Sequence, residues 1–302
     1  MAHQNRKVFS VPPDRFPLAL KTSAHAPKEL FALGTLPGES NTGVAFVGTR
    51  RPSPGAEEKC RALIRSLKGT NAVIISGLAQ GIDSFCHRAA LREGIPTIAV
   101  LAQGLETPLH GSSGVLARQI LESGGGLLSE YPGETPAYKS SFPARNRIIA
   151  GLSAATVLVE SKTSGGAMIT ARFCLKEHRE LLALPGDILH PTSGGAHELL
   201  RCGQAKPVWF AEDLPLLSGV RQKNDMPCQD LRRAGITLPE ATEKFWRKNA
   251  GFSRTIQELE ENFHFKFPLL LSILTELEIA GLVRTQDGYW FHFTAESAEI
   301  HV

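Results

Sequence analysis

The 302-residue chain is 42% hydrophobic and carries 33 Lys and Arg against 30 Asp and Glu, a formal net charge of +3. That length exceeds one average domain and that apolar content supports a conventional core, which excludes a disordered chain and a disulfide-built miniature. The small positive charge permits an acidic partner without demanding one, because nucleic-acid binding needs a local basic patch and not a basic whole.

Cys60, Cys86, Cys174, Cys202 and Cys228 form no CxxC pair and mostly fall in apolar helical patterns, which predicts buried reduced thiols. No basic segment followed by an apolar one opens the sequence, and no run of eighteen apolar residues occurs. The expectation is therefore a cytoplasmic protein with no membrane partner.

Residues 1–43 hold Pro12, Pro13, Pro17 and Pro27, with Glu29 to Leu33 read as a short apolar helix, and are expected to form an N-terminal extension packed on the main domain. From 44 to 215 short apolar runs alternate with helical stretches and glycine-rich joints, the pattern of consecutive βαβ units. The strands are placed at Val44 to Val47, Ala72 to Ile75, Thr97 to Leu101, Leu127 to Ser129, Thr156 to Val159 and Leu181 to Leu184. Ala56 to Leu67, with Cys60, Leu63, Ile64 and Leu67 at helical spacing, and Asp83 to Arg92, ending at Gly94, are crossover helices. The fold class is α/β: an extended Rossmann-like parallel sheet with helices on both faces, plus a small C-terminal winged-helix domain. Residues 216–239 are polar and aperiodic and read as a linker. In 240–302, helices near Lys244 to Asn249, Thr255 to Glu261 and Pro268 to Ala280 precede two strands joined by the Asp287-Gly288 step that tight hairpins favour, a winged-helix pattern.

Ligands of open parallel sheets bind beyond the carboxyl ends of the strands. Three joints there share one design of strand, small residues, helix: Gly48-Thr49-Arg50-Arg51-Pro52-Ser53-Pro54-Gly55, Ser76-Gly77-Leu78-Ala79-Gln80-Gly81-Ile82-Asp83 and Ser161-Lys162-Thr163-Ser164-Gly165-Gly166-Ala167-Met168-Ile169-Thr170. Glycine lets backbone amides approach an anion and a helix start adds positive potential, so the joints predict a phosphate site. Tight turns also need glycine for steric reasons alone.

Phe142 to Ser153 adds Arg145, Asn146 and Arg147 directly before an apolar run read as a strand, and between Glu134 and Glu160 the only charged residues are Lys139 and these two arginines. The local field is positive and suits phosphates. Arginines in such places also snorkel or form surface ion pairs, and Asn146 is equally a turn former. Neither GxGxxG nor GxxxxGK[ST] occurs at these joints, which argues against dinucleotides and P-loop triphosphates and leaves a polynucleotide backbone. Asp83 is read as a helix N-cap and His87 as a helix-face histidine; no histidine constellation has metal-ligand spacing, so neither metal nor cofactor is expected.

With Gly48-Thr49-Arg50, the Ser76 to Asp83 loop, Phe142 to Ser153, Ser164 to Ala171 and Leu184-Pro185-Gly186 in that order, the chain from about Pro12 to Phe210 resembles the DNA-processing protein A (DprA/Smf) family. The resemblance implies a non-enzymatic protein that binds single-stranded DNA, protects it, and helps load RecA recombinase in natural transformation, and that dimerises through its Rossmann domain. Arg50 and Lys139 match positions whose basic side chains hold backbone phosphates, and Arg145 and Arg147 would extend that groove. Gln80 stands where the family usually has arginine, Thr49 replaces a common serine, and Gly165-Gly166 replaces a Gly-Ser pair. Two rival readings are a nucleotide-processing hydrolase similar to the lysine-decarboxylase-like (LOG) group, for which Glu160 is misplaced relative to the expected motif, and a winged-helix transcription regulator sensing a phosphorylated ligand.

Overall fold

The computed structural model describes residues 7–36, 38, 40–220, 239, 242, 245–246, 249, 253–263, 267–280, 282–286 and 290–293. It divides the chain into two compact units, Met1–Val220 and Arg221–Val302. The first runs β1 (Phe9–Val11), α1 (Leu18–Lys21), β2 (Leu30–Gly34), β3 (Thr42–Gly48), α2 (Ala56–Ser66), β4 (Ala72–Ser76), α3 (Ile82–Glu93), β5 (Thr97–Val100), α4 (Gly111–Glu122), β6 (Gly126–Ser129), α5 (Ser141–Gly151), β7 (Ala155–Glu160), α6 (Ala167–Lys176), β8 (Glu180–Ala183), α7 (Gly194–Arg201), β9 (Lys206–Pro207) and α8 (Leu214–Leu217).

These nine strands form one sheet in the order β1-β2-β6-β5-β4-β3-β7-β8-β9. From β6 to β9 all pairings are parallel, whereas β1 and β2 join antiparallel at the β6 side. The pleat of β3 divides the core. Val44 and Phe46 pack with Cys60, Leu63 and Ile64 of α2 and Ile82, Cys86 and Ala90 of α3. Ala45 and Val47 pack on the opposite face with Ile148 and Ile149 of α5 and Met168, Ala171 and Cys174 of α6. A strand covered on both faces must be apolar at every position, which is why the inner strands read as continuous apolar runs.

Two expectations are corrected. Glu29 to Leu33 is a strand, not a helix: Leu30 and Ala32 are buried while Phe31 and Leu33 are half-buried, and the segment pairs with both β1 and β6. The run directly after Arg147 is not a strand either, since Phe142 to Gly151 belongs to α5 and β7 begins only at Ala155. Cys202 departs from the buried-thiol pattern and is exposed, while Cys60, Cys86 and Cys174 are buried.

The residues of the expected 216–239 linker lie outside the described set from 221 to 238, and those of the Asp287-Gly288 turn and much of the Lys244 to Asn249 helix lie outside it too. What is described of the second unit is β10 (Ser253–Thr255), α9 (Ile256–Phe263), α10 (Phe267–Ile279), β11 (Val283–Gln286) and β12 (Trp290–Phe293), with an antiparallel sheet in the order β10-β12-β11. Trp246, Leu259, Leu270, Ile273, Leu274 and Leu277 share its core. No described helix is long and apolar enough to cross a membrane.

Candidate nucleic-acid interface

From β3 the chain builds outward through β4 and β5 to β6, then returns to place β7 on the other flank of β3. The order reverses between β3 and β7, the position where an open sheet leaves a crevice at its carboxyl edge. There the ladder also shifts register between Val47 and Gly48. A cleft of about 570 Å³ opens at this edge, lined by Gly48, Thr49 and Arg50 after β3, by Lys139, Phe142, Arg145 and Asn146 around the start of α5, and by Ser161 to Thr170 after β7.

Three exposed cations face this cleft, Arg50, Lys139 and Lys162, while the fourth cation of its lining, Arg145, is buried. Among the described residues none of the three exposed cations has an acidic partner within ion-pair distance. The Arg50 guanidinium carbon lies 5.1 Å from the centroid of the Phe142 ring, a cation–π contact that orients the charge without neutralising it. Asp83 is the one acid in the lining, and its carboxylate is engaged elsewhere. Unpaired positive charge beside the start of α6 makes the cleft suited to anions.

Arg145 does not contribute to that charge in the way expected. It is 5% exposed. Its Nη1 donates to Gly77 O at 2.7 Å and to Val100 O, and its Nε donates to Asn146 Oδ1 at 3.1 Å. Arg145 therefore joins α5 to the ends of β4 and β5 as an internal strut. Gly77 is required beside it, since a Cβ there would sit 2.6 Å from the guanidinium. Burial holds the Arg145 pKa below its usual value, opposed by the nearby Asp83 carboxylate and reinforced by Arg50.

Arg147 also departs from the expected groove. It is absent from the cleft lining, pairs with Glu130 and donates to His25 O at 2.5 Å, so folding supplies an acid that the 134–160 window lacks. Ser76 is fully buried, its hydroxyl donating to Phe46 O at 2.7 Å across the sheet. Asn146 lines the cleft and donates to Gly166 O at 3.4 Å, bracing the β7–α6 joint.

The three glycine-rich joints are not equivalent. In the second, the amides of Gly77 and Ala79 already donate to Asp83 Oδ2 at 3.2 and 3.4 Å. Asp83 is thus structural as expected, but it caps the loop before it and is not the N-cap of α3, which is Gly81. Burial pushes its carboxyl upward against Arg145 and these amides. In the first joint Thr49 N donates to Glu160 O, Arg51 N to the Thr49 hydroxyl and Ser53 N to Glu160 Oε2. The third places Ser164, Gly165 and Gly166 and the first turn of α6 on the cleft, with nothing within 4 Å of a Cβ built on Gly166. Here too several amides are spent, Gly165 N on Lys162 O, Met168 N on Gly165 O and Ile169 N on Gly166 O, so what this joint brings to the cleft is the positive potential at the head of α6. Thr170, in the first turns of α6, is buried at the cleft wall.

Glu160 is fully committed. It accepts from the Ser53 hydroxyl at 2.5 Å, Lys59 Nζ at 3.1 Å and the Thr192 hydroxyl at 3.0 Å, in addition to Ser53 N at 2.9 Å. Burial raises its pKa, and these donors outweigh burial to hold it below the usual carboxylate value. A carboxylate so occupied has no lone pair free to act as a base.

Sequence reasoning passed over Lys162 and Phe142 as site members, although both lie in segments it singled out. Their signal was position: one follows a strand end directly and the other opens the helix carrying Asn146. Two smaller cavities adjoin the cleft, of about 270 and 400 Å³, and Arg50 lines both. Among the described residues no group of three His, Cys, Asp or Glu side chains could hold a metal ion.

A doubly wound, mainly parallel sheet with a cationic cleft at its switch point defines a Rossmann-like protein. The chain belongs to the family described as DNA recombination-mediator protein A, whose profile matches residues 7–216. It is 33% identical over 293 residues to Protein Smf of Escherichia coli (strain K12), covering 94% of this chain and 76% of that one. Among solved structures it is similar to DNA processing protein A of Streptococcus pneumoniae, with a TM-score of 0.63 and 37% identity over 70% of this chain and 74% of that one. DNA processing protein A of Helicobacter pylori, described for its single-stranded DNA binding mode, gives a TM-score of 0.62 and 28% identity over 69% of this chain and 94% of that one.

Proposed function

We propose that the switch-point cleft takes the phosphate backbone of single-stranded DNA, and that the protein, as a homodimer, protects such strands and helps load RecA recombinase on them in natural transformation and recombination. The observation that carries the reading is the convergence of Arg50, Lys139 and Lys162 on one cleft whose single acid, Asp83, is already hydrogen-bonded to backbone. Membership of a recombination-mediator family and the DNA-binding Helicobacter pylori relative support it. A groove of lysine and arginine with an aromatic ring beside it tracks a strand without reading its sequence.

The committed state of Glu160 counts against the hydrolase reading, which lacks another carboxylate free at the cleft. We read the second unit as a winged helix; its α10 contains Glu276 and Glu278 and neither lysine nor arginine, which is the wrong charge for a major-groove reader and disfavours the operator-binding alternative.

Fluorescence anisotropy of a labelled single strand tests the proposal, with a duplex of matching sequence as control. Single strands are expected to bind preferentially. Arg50→Ala and Lys139→Ala should each weaken every sequence alike and reduce the slope of log K against log salt by about one. Failure of the wild-type protein to bind either DNA form, or unchanged binding by both variants, rejects it.

A further inference from the structure

The place of the Arg50 charge depends on a residue that does not line the cleft. Arg50, Arg51 and Pro52 form an arch whose two feet, Thr49 and Ser53, are fastened to a single residue, Glu160 at the end of β7. At one foot Thr49 N donates to Glu160 O at 2.8 Å. At the other Ser53 donates twice to the carboxylate, from its amide to Oε2 at 2.9 Å and from its hydroxyl to Oε1 at 2.5 Å. The Arg50 side chain makes no hydrogen bond among the described residues and rests on the Phe142 ring, so the backbone beneath it decides where its charge stands.

The carboxylate is the group this position requires. Glu160 is 4% exposed and absent from the cleft lining. Its oxygens divide four donors: Oε1 takes the Ser53 hydroxyl and Lys59 Nζ, while Oε2 takes the Ser53 amide and the Thr192 hydroxyl. Lys59 comes from α2 and Thr192 from the turn before α7, so three segments of the chain meet on one side chain. Two of the four partners, the lysine ammonium and the backbone amide, can only donate. Because they face different oxygens, a side-chain amide in either orientation would set its own NH2 against one of them.

Resting on the single-stranded DNA reading of the cleft, we infer that Glu160 is a positioning residue for strand binding: from outside the cleft, its carboxylate holds the arch in the conformation that presents the Arg50 guanidinium to a phosphate. An acid thereby strengthens the binding of an anion. Charge alone demands the opposite, since Glu160→Gln removes a negative charge near the cleft and releases Lys59 from its ion pair, and both changes make the surroundings more attractive to phosphate. The two accounts differ in sign.

The test is anisotropy of a labelled single strand with the wild-type protein, Glu160→Gln, Arg50→Ala and the double variant, each at a temperature where circular dichroism shows it folded. Glu160→Gln should bind about tenfold more weakly and reduce the slope of log K against log salt by about one, as Arg50→Ala does, although it removes no cation. In the Arg50→Ala background it should cost less than about twofold, because the group it positions is already gone. Ser53→Ala, which leaves the charge unchanged and removes only the hydroxyl contact, should weaken binding about threefold with the same dependence on Arg50, and it decides the matter if Glu160→Gln does not fold. Unchanged or tighter binding by Glu160→Gln overturns the inference while leaving the cleft standing; so does an equal loss with and without Arg50, which would mean a general loosening, or unchanged binding by Ser53→Ala. Failure of the wild-type protein to bind removes the DNA reading itself and the positioning role with it.

Discussion

Fully buried in α3, His87 shows how one side chain converts packing into pH dependence. The Thr97 hydroxyl donates to Ile74 O at 3.0 Å, so at 2.7 Å it accepts from the His87 ring, which fixes the proton on Nδ1. The other ring nitrogen is buried without a partner. Burial, together with Arg145 and Arg88, lowers the pKa from 6.5 to about 3. Above pH 6.5 neither the folded nor the unfolded chain holds the proton and stability is unaffected. Between 6.5 and 3 only the unfolded chain takes it up, so stability should fall by about 1.4 kcal/mol per pH unit from this group. Denaturation midpoints measured across that window should show a shallower decline for His87→Asn, whose amide can keep the donation to Thr97. Equal slopes for the two proteins would reject the assignment. Arg145 and Arg50 teach a related lesson about legibility. Both are arginines in segments that the sequence marks as candidate anion sites, yet one is a strut and the other an exposed cation. The distinction rests on carbonyls of Gly77 and Val100, 68 and 45 residues away in sequence, which no local pattern could assign.

The joint between β4 and α3 depends on Gly81, which sits at φ 88° and ψ −132°, a region that side chains essentially exclude. A Cβ there would also lie 2.4 Å from Thr49 O, the carbonyl that accepts Ile82 N. Gly81→Ala should therefore cost about 3 kcal/mol of stability, from conformational strain and a displaced β3 loop together. Because Arg50 follows Thr49 directly, the same variant should lose single-strand affinity at temperatures where it remains folded; denaturant unfolding and anisotropy on one preparation check both, and a stability change under 1 kcal/mol would refute the strain argument. The six inner strands were legible because burial on both faces leaves an unbroken apolar run bounded by turns. β2 was not, since five residues satisfy either a helical or an alternating period and its partners β1 and β6 lie elsewhere in the chain. β1 and β9, of three and two residues, carry no period of their own.

The recombinase loading proposed above is a matter for the entire molecule, because it asks the protein to hold a strand and yield it to another protein. If the proposal holds, wild-type protein should speed the coating of labelled single strands by RecA, and Arg50→Ala should abolish the gain without altering RecA alone; an equal gain from both proteins would detach the cleft from that role. The position of the site was legible in the sequence as far as strand ends and loop design reach, since a parallel sheet puts its carboxyl-end loops together. The accounting of which amides and charges remain free was not, because Asp83 and Glu160 act on loops that only folding brings to them.

The two borders of the nine-stranded sheet carry a consequence for how copies can meet. β1 is followed at once by Pro12 and Pro13, and β9 consists of Lys206 and Pro207, with Lys206 held 2.8 Å from Glu180. Proline has no amide to offer a neighbouring strand and lysine disfavours an approaching backbone. Growth at both margins is thereby disfavoured, since one border strand is cut short by prolines and the other contains one: self-association is steered toward side-chain contacts, which can be specific and reversible, and away from the open-ended route by which exposed strands polymerise.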